Sequence, residues 1–260
     1  MSDYQTLNFE MSGSVAVITL NRPEAANGIN LQMSVELSEV ARRCECDPEL
    51  RAVLLTGTGK LFCGGGDVHE MSTYSDAGLK LKELADALHR ALISFANMRA
   101  PLIVAVNGTA AGAGFSLVTG ADYAIAVDNA KFTMAYTKIG LSPDGGASYH
   151  LPRLVGARKA YELIVTNRVL SAQEALEWGL LNQVVGADEL MDVAMGLANS
   201  MAAGSIDSNG SVKRLLKASF GNSLESQLEL ESNNISSNAR SANGVEGVKA
   251  FTEKRAPVFK

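Results

Sequence analysis

Short β-branched runs alternating with helix-spaced apolar stretches place this chain in the α/β class, and its last third turns almost wholly helical. With 260 residues, 47% hydrophobic and 20% charged, it can bury one sizeable core and is too apolar for a disordered chain. Strands and helices follow one another in an irregular strand–strand–helix order, which argues against a simple doubly wound sheet. The expected organisation is an α/β core over residues 1–200 and a helical region over 201–260.

The elements follow from local pattern. Val15–Leu20 is a buried strand closed by Asn21-Arg22-Pro23. Asn30 can cap a helix whose apolar positions Met33, Leu37, Val40 and Cys44 recur at helical spacing and stop before Pro48. Ala52–Gly57 is the next strand. Ser75–Met98 carries Leu81, Leu84, Leu88, Ala91, Leu92 and Phe95 on one helical face. Leu102–Val106 and Tyr123–Val127 are further strands, and the nearly uncharged Ala110–Gly120 between them reads as a fully buried helix. Arg158–Thr166, Ser171–Trp178 and Ala187–Ala203 are predicted helical, with a short strand near Leu181–Val185. Beyond Ser205, helical segments are expected to be broken by polar stretches such as Ser232–Asn238.

Composition excludes several function classes. A formal charge of −5 does not suit a nucleic-acid binder, which needs a clustered basic surface. The longest apolar runs, such as Pro101–Val106, are too short to cross a bilayer, so no membrane partner is expected. The N-terminal Met-Ser-Asp-Tyr-Gln has no basic or apolar signal region. Cys44, Cys46 and Cys63 form no disulfide framework and read as reduced thiols of a cytoplasmic protein. His69, His89 and His150 lack metal-ligand spacing, so no metal is expected.

Three constellations can carry chemistry, although each also reads as ordinary punctuation. In Lys60–Val68, three consecutive glycines let the backbone approach a ligand and turn N–H groups toward it, but a plain turn would look the same. The spacing fits neither a Walker loop nor a dinucleotide fingerprint. Asn107–Gly114 follows a buried strand and opens the apolar helix. Free N–H groups there suit an anion or a developing oxyanion, and the small residues equally suit close helix–strand packing. Lys138–Gly146 contains Pro143-Asp144-Gly145-Gly146, a turn with a clear mechanism. His89, at the edge of an apolar helical stripe, alone reads as an ordinary half-buried histidine.

Taken together, in order and spacing, Asn21–Asn27, Phe62–Asp67, Pro101–Gly114, Ala130–Gly146 with Leu151-Pro152-Arg153, and Ala175–Gly179 resemble the crotonase (enoyl-CoA hydratase/isomerase) superfamily over nearly the whole chain. The resemblance implies a spiral of ββα units, with C-terminal helices that build homotrimers or dimers of trimers. It also implies an acyl-CoA thioester whose carbonyl is held by two backbone N–H groups while an enolate-like oxyanion forms. By position those donors correspond to Gly64 and Ala113; the family usually has glycine at the second, and alanine supplies the same N–H. Coenzyme A enters as part of the substrate, with no other cofactor. By analogy it would lie near Ala25, Ala26, Gly66, Asp67 and Val68, with Phe251 and Lys254 of the tail as contacts.

The family's hydratases use two glutamates, and the resemblance puts Ser116 and Tyr136 at those positions, where neither can be a carboxylate base. Asp144 is the remaining acid. The chain is most similar to the phenylacetate-pathway isomerase group and the Δ3,Δ2-enoyl-CoA isomerases, over Ala130–Gly146 and Gly244–Lys260. The implied activity is a double-bond shift with Asp144 as acid/base, in fatty acid or phenylacetate metabolism. An apolar pocket walled by Phe132, Met134, Leu141 and Tyr136 would make that carboxylate a stronger base, because burial penalises its charged form. A second group, the 4-chlorobenzoyl-CoA dehalogenases, uses an aspartate nucleophile, a histidine base and a tryptophan. Asp144 and His89 match the first two, and Tyr136 stands where the tryptophan would be. A third possibility is a non-catalytic acyl-CoA-binding subunit, or a hydratase-like protein without the usual activity.

Overall fold

Every residue of the strand at 102–106 is buried, and the sheet around it organises the molecule. The computed structural model describes residues 4–260, so Met1–Asp3 of the N-terminal segment read above lie outside the described residues. In chain order the strands are β1 (Leu7–Ser12), β2 (Val15–Leu20), β3 (Ala52–Gly57), β4 (Leu61–Cys63), β5 (Leu102–Val106), β6 (Thr109–Ala111), β7 (Tyr123–Val127), β8 (Lys131–Thr133), β9 (Leu170–Ser171) and β10 (Gln183–Val185). The helices are α1 (Leu31–Cys46), α2 (Val68–Met71), α3 (Ala77–Asn97), α4 (Ala113–Thr119), α5 (Ala147–Val155), α6 (Ala157–Thr166), α7 (Ala172–Glu177), α8 (Leu190–Ala202), α9 (Ile206–Ser219), α10 (Leu224–Arg240) and α11 (Ala242–Thr252).

Two sheets result. The larger runs β1-β2-β3-β5-β7-β10 and the smaller β4-β6-β8-β9. Pairing is parallel except at β1/β2 and β8/β9. The chain repeats one move three times: a strand in the large sheet, a strand in the small sheet, then a helix, as in β3-β4-α3, β5-β6-α4 and β7-β8-α5. This is the ββα spiral. Strands buried on both faces read as unbroken apolar runs, which is why β2, β3, β5 and β7 stood out in the sequence.

Other expectations change. The single helix expected over 110–120 is a strand and a helix. Ala110 and Ala111 pair with Phe132 and Thr133 of β8, Gly112 turns the chain at φ 50°, and α4 starts at Ala113. All seven residues of α4 are buried. The polar stretch Ser232–Asn238 breaks nothing: it lies inside α10, which has no buried residue. Leu224, Leu228 and Ile235 of that helix and Phe251 of α11 stand exposed. The helix α5, with Pro152 inside it, was not expected. Asn30 caps α1 as predicted, its side chain accepting the Met33 N–H. No helix among the described residues is long and apolar enough to cross a membrane.

Phe62, Phe115 and Phe132 are completely buried, and the last two touch with ring centroids 5.3 Å apart. Each such side chain contributes roughly 2–3 kcal/mol of burial. This core holds β4, β6 and β8 together, and the loops that leave these three short strands build the site.

Candidate active site

The glycine run leaves β4 and packs backbone-to-backbone against the segment that opens α4. Gly65 takes φ 101°, and its Cα lies beside Gly112. A Cβ on Gly114 would overlap the Cys63 carbonyl, so glycine there permits the approach. Cys63 itself is wholly buried, which pushes its thiol up to about 12 and leaves it inert.

Hydrogen bonding decides which N–H groups remain free. Gly64 was the expected donor, but its N–H already donates to the Ala26 carbonyl at 2.8 Å. The Ile29 and Asp67 N–H groups are spent on Gly65 and Ile29 carbonyls at 2.7 and 3.0 Å, bracketing Gly66. Gly66 and Ala113 keep N–H groups without an acceptor among the described residues, and both line the cleft. Ala113 is free because it is the first residue of a helix, where an N–H has no intrahelical partner. The buried Asn27 holds the approach to the glycine run, its amide donating to the carbonyls of Thr58, Leu61 and Phe62. Arg22 bonds Asp67 at 2.9 Å, and Asp67 caps α2 through the Glu70 N–H. Burial opposes the Asp67 charge, but those two partners outweigh it and hold the carboxyl below its ordinary range.

The opposite wall is the loop from Tyr136 to Gly146. Gly145 and Gly146 adopt φ 62° and 80°, as the turn requires. The Asp144 carbonyl accepts from Ser116 Oγ at 2.8 Å and from Tyr136 OH at 3.1 Å, and the two hydroxyl oxygens are 2.9 Å apart. Burial pushes the Tyr136 phenol above its ordinary value, so it stays protonated. The residues at the hydratase glutamate positions therefore fix the backbone of Asp144. Its carboxylate Oδ1 accepts a 2.7 Å bond from Nε2 of His89 on α3.

Between these walls and α3 lies a cleft of about 440 Å³. Gly66, Val68, Ala113, Tyr136, Leu141 and Asp144 line it, as expected. Asp144 is the only carboxylate among the described residues of that lining. The dry aspartate expected from the sequence is not found: the side chain is 35% exposed and paired with His89. Phe132 and Met134 do not wall the cleft but lie wholly buried in the core: Phe132 sits in β8, and Met134, two residues on, falls on the same face just past its end. Ser116 sits behind the lining. Ala25 and Ala26 form the turn that accepts the Gly64 N–H, and Phe251 and Lys254 are exposed and outside the lining. Ile29, Met71, Leu81, Leu84, Leu88 and Ile139 are also among its apolar lining. The apolar stripe on α3 had signalled Leu84 and Leu88, but it does not say whether a stripe faces core or cleft.

The family model described as enoyl-CoA hydratase/isomerase matches residues 10–260. The chain is 40% identical over 250 residues to the 1,2-epoxyphenylacetyl-CoA isomerase of Escherichia coli (strain K12), covering 94% of each. It is 37% identical over 257 residues to a probable enoyl-CoA hydratase of Mycobacterium leprae (strain TN), covering 98% of each. The crystal structure of an enoyl-CoA hydratase from Polaromonas sp. JS666 superimposes with a TM-score of 0.93 at 33% identity, covering 98% of this chain and 99% of that one. On sequence and fold alike, the chain belongs to the enoyl-CoA hydratase/isomerase family, within the crotonase superfamily.

Proposed function

We propose that this protein is an acyl-CoA isomerase that shifts a double bond from the Δ3 to the Δ2 position, or acts on an aromatic-derived analogue, with Asp144 as acid and base. The observation that carries this reading is the placement of Asp144, the one carboxylate among the described residues of the cleft lining, across from two unpaired backbone N–H groups. Ser116 and Tyr136 are engaged in holding its backbone, and neither is a base toward water. The relative from Escherichia coli is named an isomerase, whereas others carry hydratase names.

In the mechanism, the thioester carbonyl sits between the N–H groups of Gly66 and Ala113. Gly66 takes the role expected of Gly64, whose N–H is occupied. Asp144 removes a proton from C2, the C–H electron pair forms the C1=C2 bond, and the carbonyl π pair moves onto the thioester oxygen. The charge appears where fixed donors and a helix N-terminus already point, and one such donor contributes about 3–4 kcal/mol. The same carboxyl then returns the proton at C4: on collapse the carbonyl re-forms, the C1=C2 pair becomes C2=C3, and the C3=C4 pair takes the proton. Coenzyme A takes part only as the thioester's carrier, and the cycle as written needs no other group. The same reading makes the chain a subunit of a homotrimer or dimer of trimers, joined through the exposed apolar side chains of α9–α11; sedimentation of the purified chain measures that mass.

A second reading, nucleophilic aromatic substitution, draws on the 2.7 Å contact between His89 and Asp144. There Asp144 forms an aryl ester and His89 directs water to it. Incubation of a 3-enoyl-CoA in D2O, followed by NMR, separates the readings. The isomerase gives the conjugated product, with loss of about 10²–10⁴ in rate for Asp144→Asn. An unchanged rate in that variant removes Asp144 as the base. Halide release from 4-chlorobenzoyl-CoA favours the second reading, and tight binding with no exchange at C2 marks a non-catalytic subunit.

A further inference from the structure

We infer that His89 is a positioning residue: it pins one oxygen of the Asp144 carboxylate and leaves the other as the base that serves both C2 and C4. The inference rests on the isomerase reading. Asp144 is held at two places. Its carbonyl is fixed by Ser116 and Tyr136, and its Oδ1 by His89 Nε2. Its Oδ2 has no hydrogen-bond partner among the described residues. Two glycines at positive φ follow it. His89 is the only hydrogen-bond restraint on the Asp144 side chain among the described residues, and that side chain is 35% exposed.

His89 suits this role and little else. Its ring is 42% exposed, and Asp144 is its only polar partner among the described residues. It stands on α3 at the border of a second cavity, formed with α5 and α9, while Asp144 faces the cleft. An ionised carboxylate only accepts, so Nε2 carries the proton of the 2.7 Å bond and is not itself free to take one from substrate. A base misplaced by about 1 Å can lose roughly 10²-fold in rate, so placement alone carries a large effect. An exposed pair of this kind contributes little to folding.

The test compares the wild-type chain with His89→Ala and His89→Gln on a 3-enoyl-CoA, following the conjugated product, exchange of the C2 hydrogen in D2O, and the melting temperature. The alanine variant is expected to lose about 10- to 100-fold in kcat and in C2 exchange, with KM within about 2-fold and an unchanged melting temperature. Glutamine, whose amide N–H reaches the same oxygen, is expected to restore most of that loss. A kcat unchanged in His89→Ala overturns the positioning role. Glutamine as damaging as alanine overturns it too, because the imidazole would then be moving a proton. Wild-type protein that neither isomerises nor exchanges at C2 brings down the parent reading and this one with it, and so differs from a failure of positioning alone.

Discussion

The two walls of the cleft are built from different material. The glycine run and the start of α4 present main-chain N–H groups, held by buried bonds from Asn27, Ala26 and Ile29. The facing loop presents side chains, and its key carboxylate is more than a third exposed, with two glycines behind it. A main-chain donor survives any change of functional group and is lost when bulk forces the backbone apart. A side-chain base tolerates bulk nearby and is lost when its chemistry changes. The first wall is therefore vulnerable through shape and the second through chemistry.

The largest expected effect is on the second wall. Asp144→Asn keeps size and removes the base, so kcat should fall about 10²–10⁴-fold with little change in melting temperature. A large drop in stability would mean that this wall, too, is structural. The converse substitution is Gly114→Ala. Its added methyl overlaps the Cys63 carbonyl, so β4 and the start of α4, which together carry the donor wall, must separate. Both properties should suffer, with about 10²–10³ in kcat from a displaced donor and about 1–3 kcal/mol of stability. Activity lost without any stability change would break the distinction between the walls. Smallest is the effect of the Arg22–Asp67 bond, which ties the turn before the glycine run to α2. The Asp67 carboxyl lies below its unfolded value of 3.8, so its contribution is present above that pH and fades as pH falls through the lower, folded value. Asp67→Asn should flatten the acid limb of the stability profile while costing about 1 kcal/mol at neutral pH, as urea titrations across pH 2–7 would show. An acid limb identical to wild type would show that this bond does not hold the donor wall.

The same contrast explains what was readable. Asp144 and Ala113 were legible through the resemblance of the ordered motifs; read locally, one sits in a Pro-Asp-Gly-Gly turn and the other in an apolar small-residue stretch, and neither local pattern alone marks a site. Gly66 was not distinguished from Gly64, since three adjacent glycines look alike until a distant carbonyl, that of Ala26, claims one of their N–H groups. The small sheet was hidden because β4, β6 and β8 are three residues each, too short to show a period, and β6 lies inside a Gly/Ala stretch that reads as helix. Phe132 and Met134 were assigned to the cleft because a strand's inward and outward faces alternate, and with so short a strand the register was not legible.

By itself the sequence determined the class of fold, the long buried strands, the helix capped by Asn30 and the family. Those depend on apolar burial, capping and turn chemistry, which act between near neighbours and leave a pattern along the chain. Tertiary structure alone decided which N–H groups stay unpaired, that Ser116 and Tyr136 hold a backbone, and that His89 meets Asp144. The Ser116–Asp144 and His89–Asp144 bonds join residues 28 and 55 apart, and the Tyr136 bond closes only in a loop that the fold places over Ser116; such pairings are set by packing geometry.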